Sequence, residues 1–222
     1  MERKAIGNIN LRVRPDGSIY VSAPLRTPQE SIESFLIARE KWILRALERV
    51  TDMTDAYPDL PVLAQRDSVP YLGGSLRVQY AACNSRKGRW SLDEPAGLLR
   101  VELPDPTSDS WRIGALQSFE KQRTQELVQE YLRQYLPLFA ERGVAAPAAV
   151  RFRIMQSRWG SCSGRTHSLS FNARLCERPH AFIEYVVVHE LCHFLHGNHS
   201  ADFWREVERY LPDWQARRKL GD

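Results

Sequence analysis

Residues 189–193 read His-Glu-Leu-Cys-His, an H-E-x-x-H pattern. Positions four apart on an α-helix differ by only about 40° around the axis. The imidazoles of His189 and His193 would therefore leave the same face and can share one metal ion. Glu190 is rotated from His189 by about 100°. Its carboxylate can then reach a water activated at that metal without being a ligand itself, the arrangement that zinc hydrolases use. Four of the six histidines fall between positions 189 and 199. Incidental histidines on a buried helix would have no reason to cluster in this way.

A catalytic zinc needs a third protein ligand and one open position. His196 shares the face of the pair, but three ligands in a row along one rigid helix fit a tetrahedral site poorly. His199 follows the Gly197-Asn198 break, where the chain can turn back toward the metal. Glu206 is the carboxylate alternative. The expected ligand set is His189, His193 and His199, with Glu190 as general base. The His193-to-His199 spacing also occurs in the long metzincin motif, but His196 occupies the glycine position of that motif and no methionine follows. Cys162 and Cys192 are expected to be small buried side chains outside the metal site.

The elements that must carry these residues are legible in the same stretch. Pro179 starts an apolar helix through Phe182, Ile183, Val186, Val187 and Leu191, expected to end at Gly197. A last helix runs from Ala201 to about Tyr210, with Ser200 as its cap and Asp202 in its first turn. Upstream, Val150, Phe152 and Ile154 alternate with arginines as in a strand, and a second strand holds Leu169 and Phe171. The Trp159-Gly160-Ser161-Cys162 segment precedes that second strand. An edge strand there could pair with an extended peptide, and Gly160 could mark a bulge. Asn172 is placed to orient a loop through its side chain.

Further upstream, a long helix is expected over roughly 109–141, ended or kinked by Pro137 and stopped by Gly143. Trp111, Leu116, Phe119, Leu127, Val128, Leu132 and Leu136 would lie on or near its core face. Strands are expected around Leu76, Val78 and Tyr80, after a tight turn at Leu72-Gly73-Gly74-Ser75, and again around Leu99, Val101 and Leu103. Residues 51–69 and 84–97 read as connections. Residues 6–23 read as a hairpin about Pro15-Asp16-Gly17, followed by a helix over 28–50 with Thr27 and Glu30 as a capping box. Pro104 to Ser110 is the one plausible internal boundary. It gives an N-terminal β-rich region (1–104) carrying one long helix and a catalytic region (105–222), within what reads as one continuous domain.

The 222 residues suffice to bury a substantial core, with 43% hydrophobic and 26% charged residues. No stretch approaches the roughly 18 consecutive apolar residues of a membrane span. The N-terminus lacks the apolar core of a signal peptide, so a cytoplasmic protein with four reduced cysteines is expected. The net charge of +4 is spread evenly, with one dense basic cluster at Arg217-Arg218-Lys219 that reads as solvated surface. This is weak support for nucleic-acid binding.

The chain resembles the YgjP-like, SprT-related metal-dependent hydrolases. The resemblance rests on Arg158-Trp159-Gly160-Ser161-Cys162-Ser163, on Leu169-Ser170-Phe171-Asn172-Ala173-Arg174-Leu175, on Tyr185 through His193, and on Asn198-His199-Ser200 with Phe203-Trp204. It extends more softly to Phe35-Leu36, Lys41-Trp42-Ile43 and Tyr71-Leu72-Gly73-Gly74. It implies an α+β fold with a zincin-like core, antiparallel strands packed on the H-E-x-x-H helix, a zinc ion, and His199 as third ligand. Leu169 and Phe171 depart mildly from that family's usual pattern.

The expected activity is zinc-dependent hydrolysis, foremost of peptides or proteins. The alternative is another bond such as a nucleotide phosphoanhydride, since an activated water can also attack phosphorus. A DNA-associated protease is disfavoured because no C-terminal zinc finger or long basic tail follows. A purely structural zinc module is disfavoured because it would close four protein ligands and needs no Glu190. Arg158, Trp159, His167, Arg174 and Tyr185 are the candidates for contacting substrate or stabilising an oxyanion. The sequence does not fix the oligomeric state, and three imidazoles also bind copper, nickel or cobalt.

Overall fold

The computed structural model describes residues 2–5, 7–13, 19–44 and 67–221. It is a mixed α+β structure. Near the N-terminus, β2 (Asn10–Val13) pairs antiparallel with β3 (Ile19–Pro24), the hairpin expected from the alternation, and its turn lies outside the described residues. β1 (Glu2–Lys4), which no alternation of apolar residues announces, adds to β3 in parallel. Helix α1 spans Gln29–Ala38. Pro28 holds its N-cap without a side-chain cap bond, so the capping box expected from Thr27 and Glu30 does not form. Thr27 instead offers its carbonyl to the Arg3 guanidinium, 2.6 Å away. Residues 40–44 are helical again, after a break at Arg39. The expected helical positions 46, 47 and 50 lie outside the described residues. Val21, Ala23 and Ile32 form a small core here.

A four-stranded sheet follows, in the order β4-β5-β7-β6. Its strands are β4 (Ser68–Tyr71), β5 (Gly74–Ala82), β6 (Arg89–Asp93) and β7 (Leu98–Leu103). The turn at Leu72-Gly73 has φ values of 49° and 80°. That left-handed pair matches the strand twist of a two-residue hairpin. β6 lies inside the stretch read as a polar connection. Only Trp90 and Leu92 alternate inward there, too short a signal against the surrounding polar residues.

Helix α2 (Asp109–Ala140) continues three residues past Pro137. It ends where the amide of Gly143 (φ 80°) reaches the Ala140 carbonyl and that of Val144 reaches the Phe139 carbonyl. These are the two bonds of a Schellman motif. Leu116, Phe119, Leu127, Val128, Leu132, Tyr135 and Phe139 are its buried apolar residues. Trp111, expected near the core, is 38% exposed in the first turn.

The sheet next to the H-E-x-x-H helix holds β8 (Ala149–Arg153), β9 (Gly160–Ser163) and β10 (Ser168–Asn172), in the order β8-β10-β9. The two strands expected to lie antiparallel, β8 and β10, run parallel, and the antiparallel partner of β10 is β9, formed in the stretch read as a turn, so the sheet is mixed. Helices α3 (His180–Cys192), α4 (Ala201–Tyr210) and α5 (Trp214–Arg218) complete the chain. One core cluster runs from Val69 to Leu211, across the boundary expected at residue 104.

Candidate active site

Helix α3 is buried nearly all round, which is how a helix behaves inside a core. Phe182, Ile183, Tyr185, Val186, Val187, Val188, Leu191 and Cys192 are buried, and Glu190 is buried with them. Several contacts fix the start of the helix. The amides of Leu72 and Gly73 donate to the carbonyls of Cys176 and Glu177, docking the β4–β5 turn just before Pro179. The fit leaves no room for a side chain, since a Cβ on Gly73 would lie 2.7 Å from Pro179 Cγ. From α2, Thr124 Oγ1 donates to the Ala173 carbonyl at 2.8 Å and accepts from the Cys176 amide at 2.9 Å. Tyr135 Oη donates to Glu184 at 2.6 Å, and Glu184 pairs with Arg217.

The helix ends at Cys192, short of the expected Gly197, with His193 as its C-cap. The cause is local. The His193 imidazole holds the His196 carbonyl, with Nδ1 at 3.1 Å, and the backbone tightens through bonds from Phe194 to Leu191 and from Leu195 to Cys192. A carbonyl only accepts, so His193 Nδ1 carries the proton and its Nε2 lone pair is free. The chain then returns through residues 197–199 to α4, where Ser200 Oγ accepts from the Phe203 amide.

This path brings His199 back to α3. Its Nε2 lies 3.0 Å from His189 Nε2. Donor atoms of His189, His193 and His199 all fall within 4.8 Å of one another, and among the described residues they are the one group of metal-competent side chains this close. His189 Nδ1 faces Tyr185 Oη at 3.3 Å. The His199 ring stacks on Trp204 at 5.5 Å, and Trp204 stacks on Trp214 at 4.2 Å. Glu206 is buried on α4 but bonds Arg142 at 3.3 Å, outside the three-imidazole group. His196 contributes its backbone carbonyl, not its ring, to the cluster.

Burial, then the neighbouring His193 and His199, push the pKa of His189 down to about 3, so this imidazole is neutral at any ordinary pH. Burial also lowers that of His193. Neutral imidazoles are the form that binds metal. Burial pushes Glu190 up to about 8, with the Arg158 charge pulling the other way. A carboxyl tuned close to neutrality suits proton transfer. Gly160 of β9 makes room for it, because a Cβ there would sit 2.6 Å from Glu190 Oε1.

The cluster opens into a cleft of about 610 Å³. Of the residues expected near substrate, Arg158, Trp159 and Tyr185 line it, along with His189, Glu190 and His199. His167 does not. It sits at φ 44°, with Nε2 2.9 Å from the Ala145 carbonyl and its ring 4.1 Å from that of Phe194. Arg174 is turned to Glu177 at 2.6 Å and lines a different cavity. Sequence reasoning missed Arg218, which lines the cleft from the end of α5 and lies over the Trp204 ring at 5.6 Å. The basic run at 217–219 was visible, but α5, which delivers one of its members to the cleft, was not. Phe182 and Val186, read as core residues, form part of the cleft wall.

No curated protein matches the chain. The crystal structure of the metallopeptidase zymogen of Pyrococcus abyssi abylysin overlaps 44% of this chain and 87% of that one, at 21% identity and a TM-score of 0.34, too limited an overlap to define the fold. The YgjP-like metallopeptidase domain, in contrast, matches residues 7–220, nearly the whole length. No helix among the described residues is long and apolar enough to cross a membrane. With a cluster of three imidazoles, a buried glutamate beside it and this full-length match, the chain belongs to the YgjP-like metallopeptidase family.

Proposed function

We propose that the protein is a zinc metallopeptidase with a zincin-like core, in which His189, His193 and His199 hold the metal through Nε2 and Glu190 is the general base. The observation that carries this reading is the meeting of three imidazoles, those of His189 and His193 with their pKa lowered by burial, beside a buried carboxyl at one cleft. The donor set fits zinc. It is all nitrogen, one ring is locked in the tautomer that frees Nε2, and no donor separation exceeds 4.8 Å. That is within side-chain adjustment of what Zn–N bonds of about 2.0–2.1 Å span. When bound, zinc supplies a Lewis acid that acidifies water and polarises a carbonyl at neutral pH.

The chain's own groups do the rest. Glu190 takes the proton from the attacking water and passes it to the leaving nitrogen. β9 is the edge strand of its sheet, and Gly160 lies on it next to the carboxylate. An extended peptide adding to that edge would be carried past Glu190 by backbone hydrogen bonds. Arg158, Tyr185 and Arg218 are the polar side chains that can reach an oxyanion from the cleft wall.

Incubation of zinc-loaded protein with a peptide library, read by mass spectrometry beside Glu190→Ala at equal zinc content, tests the proposal. Cleavage lost in the variant supports it. Absence of cleavage by the zinc-loaded wild type, or equal cleavage by both, contradicts it. Nucleoside triphosphates belong in the same assay, because phosphoanhydride hydrolysis is the competing outcome for an activated water in a cleft with two arginines.

A further inference from the structure

Behind Trp159, a second cavity of about 310 Å³ adjoins the cleft, and Ser157, Arg158 and Trp159 line both. Its charged lining is Arg158, Arg174, Arg178 and Glu177, three guanidinium groups against one carboxylate. Glu177 is already taken, since Arg174 reaches it with Nε at 2.6 Å and Nη2 at 3.2 Å. Among the described residues, Arg158 and Arg178 are in no ion pair. Arg178 lies over the Trp159 ring at 4.7 Å, and its Nε is buried without a hydrogen-bond partner. A buried, unanswered donor costs folding free energy, and native structures leave few of them without a reason.

The wall of this cavity is also held in place. Asn172 is buried, and its Nδ2 donates to the carbonyls of Met155 (2.7 Å) and Arg158 (3.2 Å), while its Oδ1 accepts from the Arg174 amide. One side chain thus ties the 155–158 loop to the segment that bears Arg174. A preorganised set of guanidinium donors with excess positive charge matches a planar or tetrahedral oxyanion, which can accept two parallel N–H bonds.

We propose that this cavity is an anion subsite, taking a carboxylate or phosphate group of the molecule that occupies the adjoining cleft. The proposal rests on the hydrolase reading only in treating that anion as part of a substrate. A substrate with its reacting bond at Glu190 would reach the subsite past Trp159 and Arg158. For a peptide, the group is an acidic side chain or the free C-terminal carboxylate near the bond that is cut.

Calorimetric titration of the zinc-loaded full chain tests this without needing turnover. The probes are acetyl-glutamate α-amide, acetyl-alanine with a free carboxylate, inorganic phosphate, and neutral acetyl-alanine amide. At least one anionic probe should saturate the protein while the neutral amide does not. Arg178→Gln and Arg158→Gln should each weaken that probe about tenfold or more, the scale of a lost charge-assisted bond, with zinc content unchanged. The probe that binds identifies the source of the anion. Equal behaviour of anionic and neutral probes, or anion binding that survives both substitutions, overturns the proposal. If Arg178→Gln does not fold, Arg158→Gln at its exposed position carries the test. Anion binding without peptide cleavage would sink the peptidase reading and leave the subsite standing, and the converse would sink the subsite alone.

Discussion

His199 Nε2 lies 3.0 Å from His189 Nε2, although ten residues and the end of a helix separate them in sequence. The close approach depends on the early end of α3 and on the Ser200 cap that begins α4. Like His189, His199 should therefore act as a ligand. Replacing any one of His189, His193 or His199 by alanine should weaken zinc binding by roughly two orders of magnitude or more, beyond the effect of changing a group that only orients a ligand. His196→Ala should keep the metal, because its contribution is a backbone carbonyl. Competition with a zinc-sensitive chelator measures all four. Zinc loss in His196→Ala, or tight zinc binding in His199→Ala, would contradict the ligand set.

Gly160 is required by Glu190 and not by its own backbone, which lies within a regular strand. The methyl group of Gly160→Ala would displace the carboxylate while leaving the imidazoles alone. Peptide cleavage should fall more than about tenfold, as a misplaced catalytic group entails, with zinc content intact. Unchanged kcat/KM in this variant would show that the position of Glu190 beside β9 is irrelevant.

Gly73→Ala should destabilise the fold far from the chemistry. It combines a φ of 80° with a contact of 2.7 Å to Pro179, where α3 begins. A cost of about 2 kcal/mol is expected from the backbone conformation and the overpacking together. Urea denaturation reads it, and a midpoint equal to wild type would mean that the turn does not brace the helix.

The thiols provide a pH test. Burial pushes Cys162 and Cys176 up to about 12, with Glu190 adding to the shift at Cys162, and raises Cys192 further. These groups stay protonated at pH 8, and the thiolate is the reactive form. A disulfide reagent should find one rapid thiol, Cys83, in the native chain and four after unfolding. Labelling of the other three should climb only at strongly alkaline pH. A second fast thiol at pH 8 that persists in Cys83→Ser would contradict the raised pKa of half-buried Cys162 and of buried Cys176 and Cys192.

Much of this arrangement was readable because local rules governed it. The i, i+4 histidines, the break at residues 197 and 198 and the Ser200 cap are short-range signals, and α4 begins where they place it. What escaped depends on distant parts of the chain. β8 joins β10 in parallel, an orientation that alternating residues do not encode. The end of α3 is set by a side chain reaching forward to the His196 carbonyl, which no stop signal reports. His167 and Arg174 looked as available as Arg158, but Ala145, Phe194 and Glu177 engage them elsewhere. Arg218 reaches the cleft because Glu184 anchors its neighbour Arg217, a contact 33 residues apart.

The most direct test is a crystal of the zinc-loaded protein, with anomalous diffraction recorded on both sides of the zinc absorption edge. One strong peak is predicted at about 2.0–2.1 Å from Nε2 of His189, His193 and His199, with the Glu190 carboxylate close by but outside the bonding distance. A peak elsewhere, or one that replaces His199 with Glu206 or the His196 ring, would contradict the account.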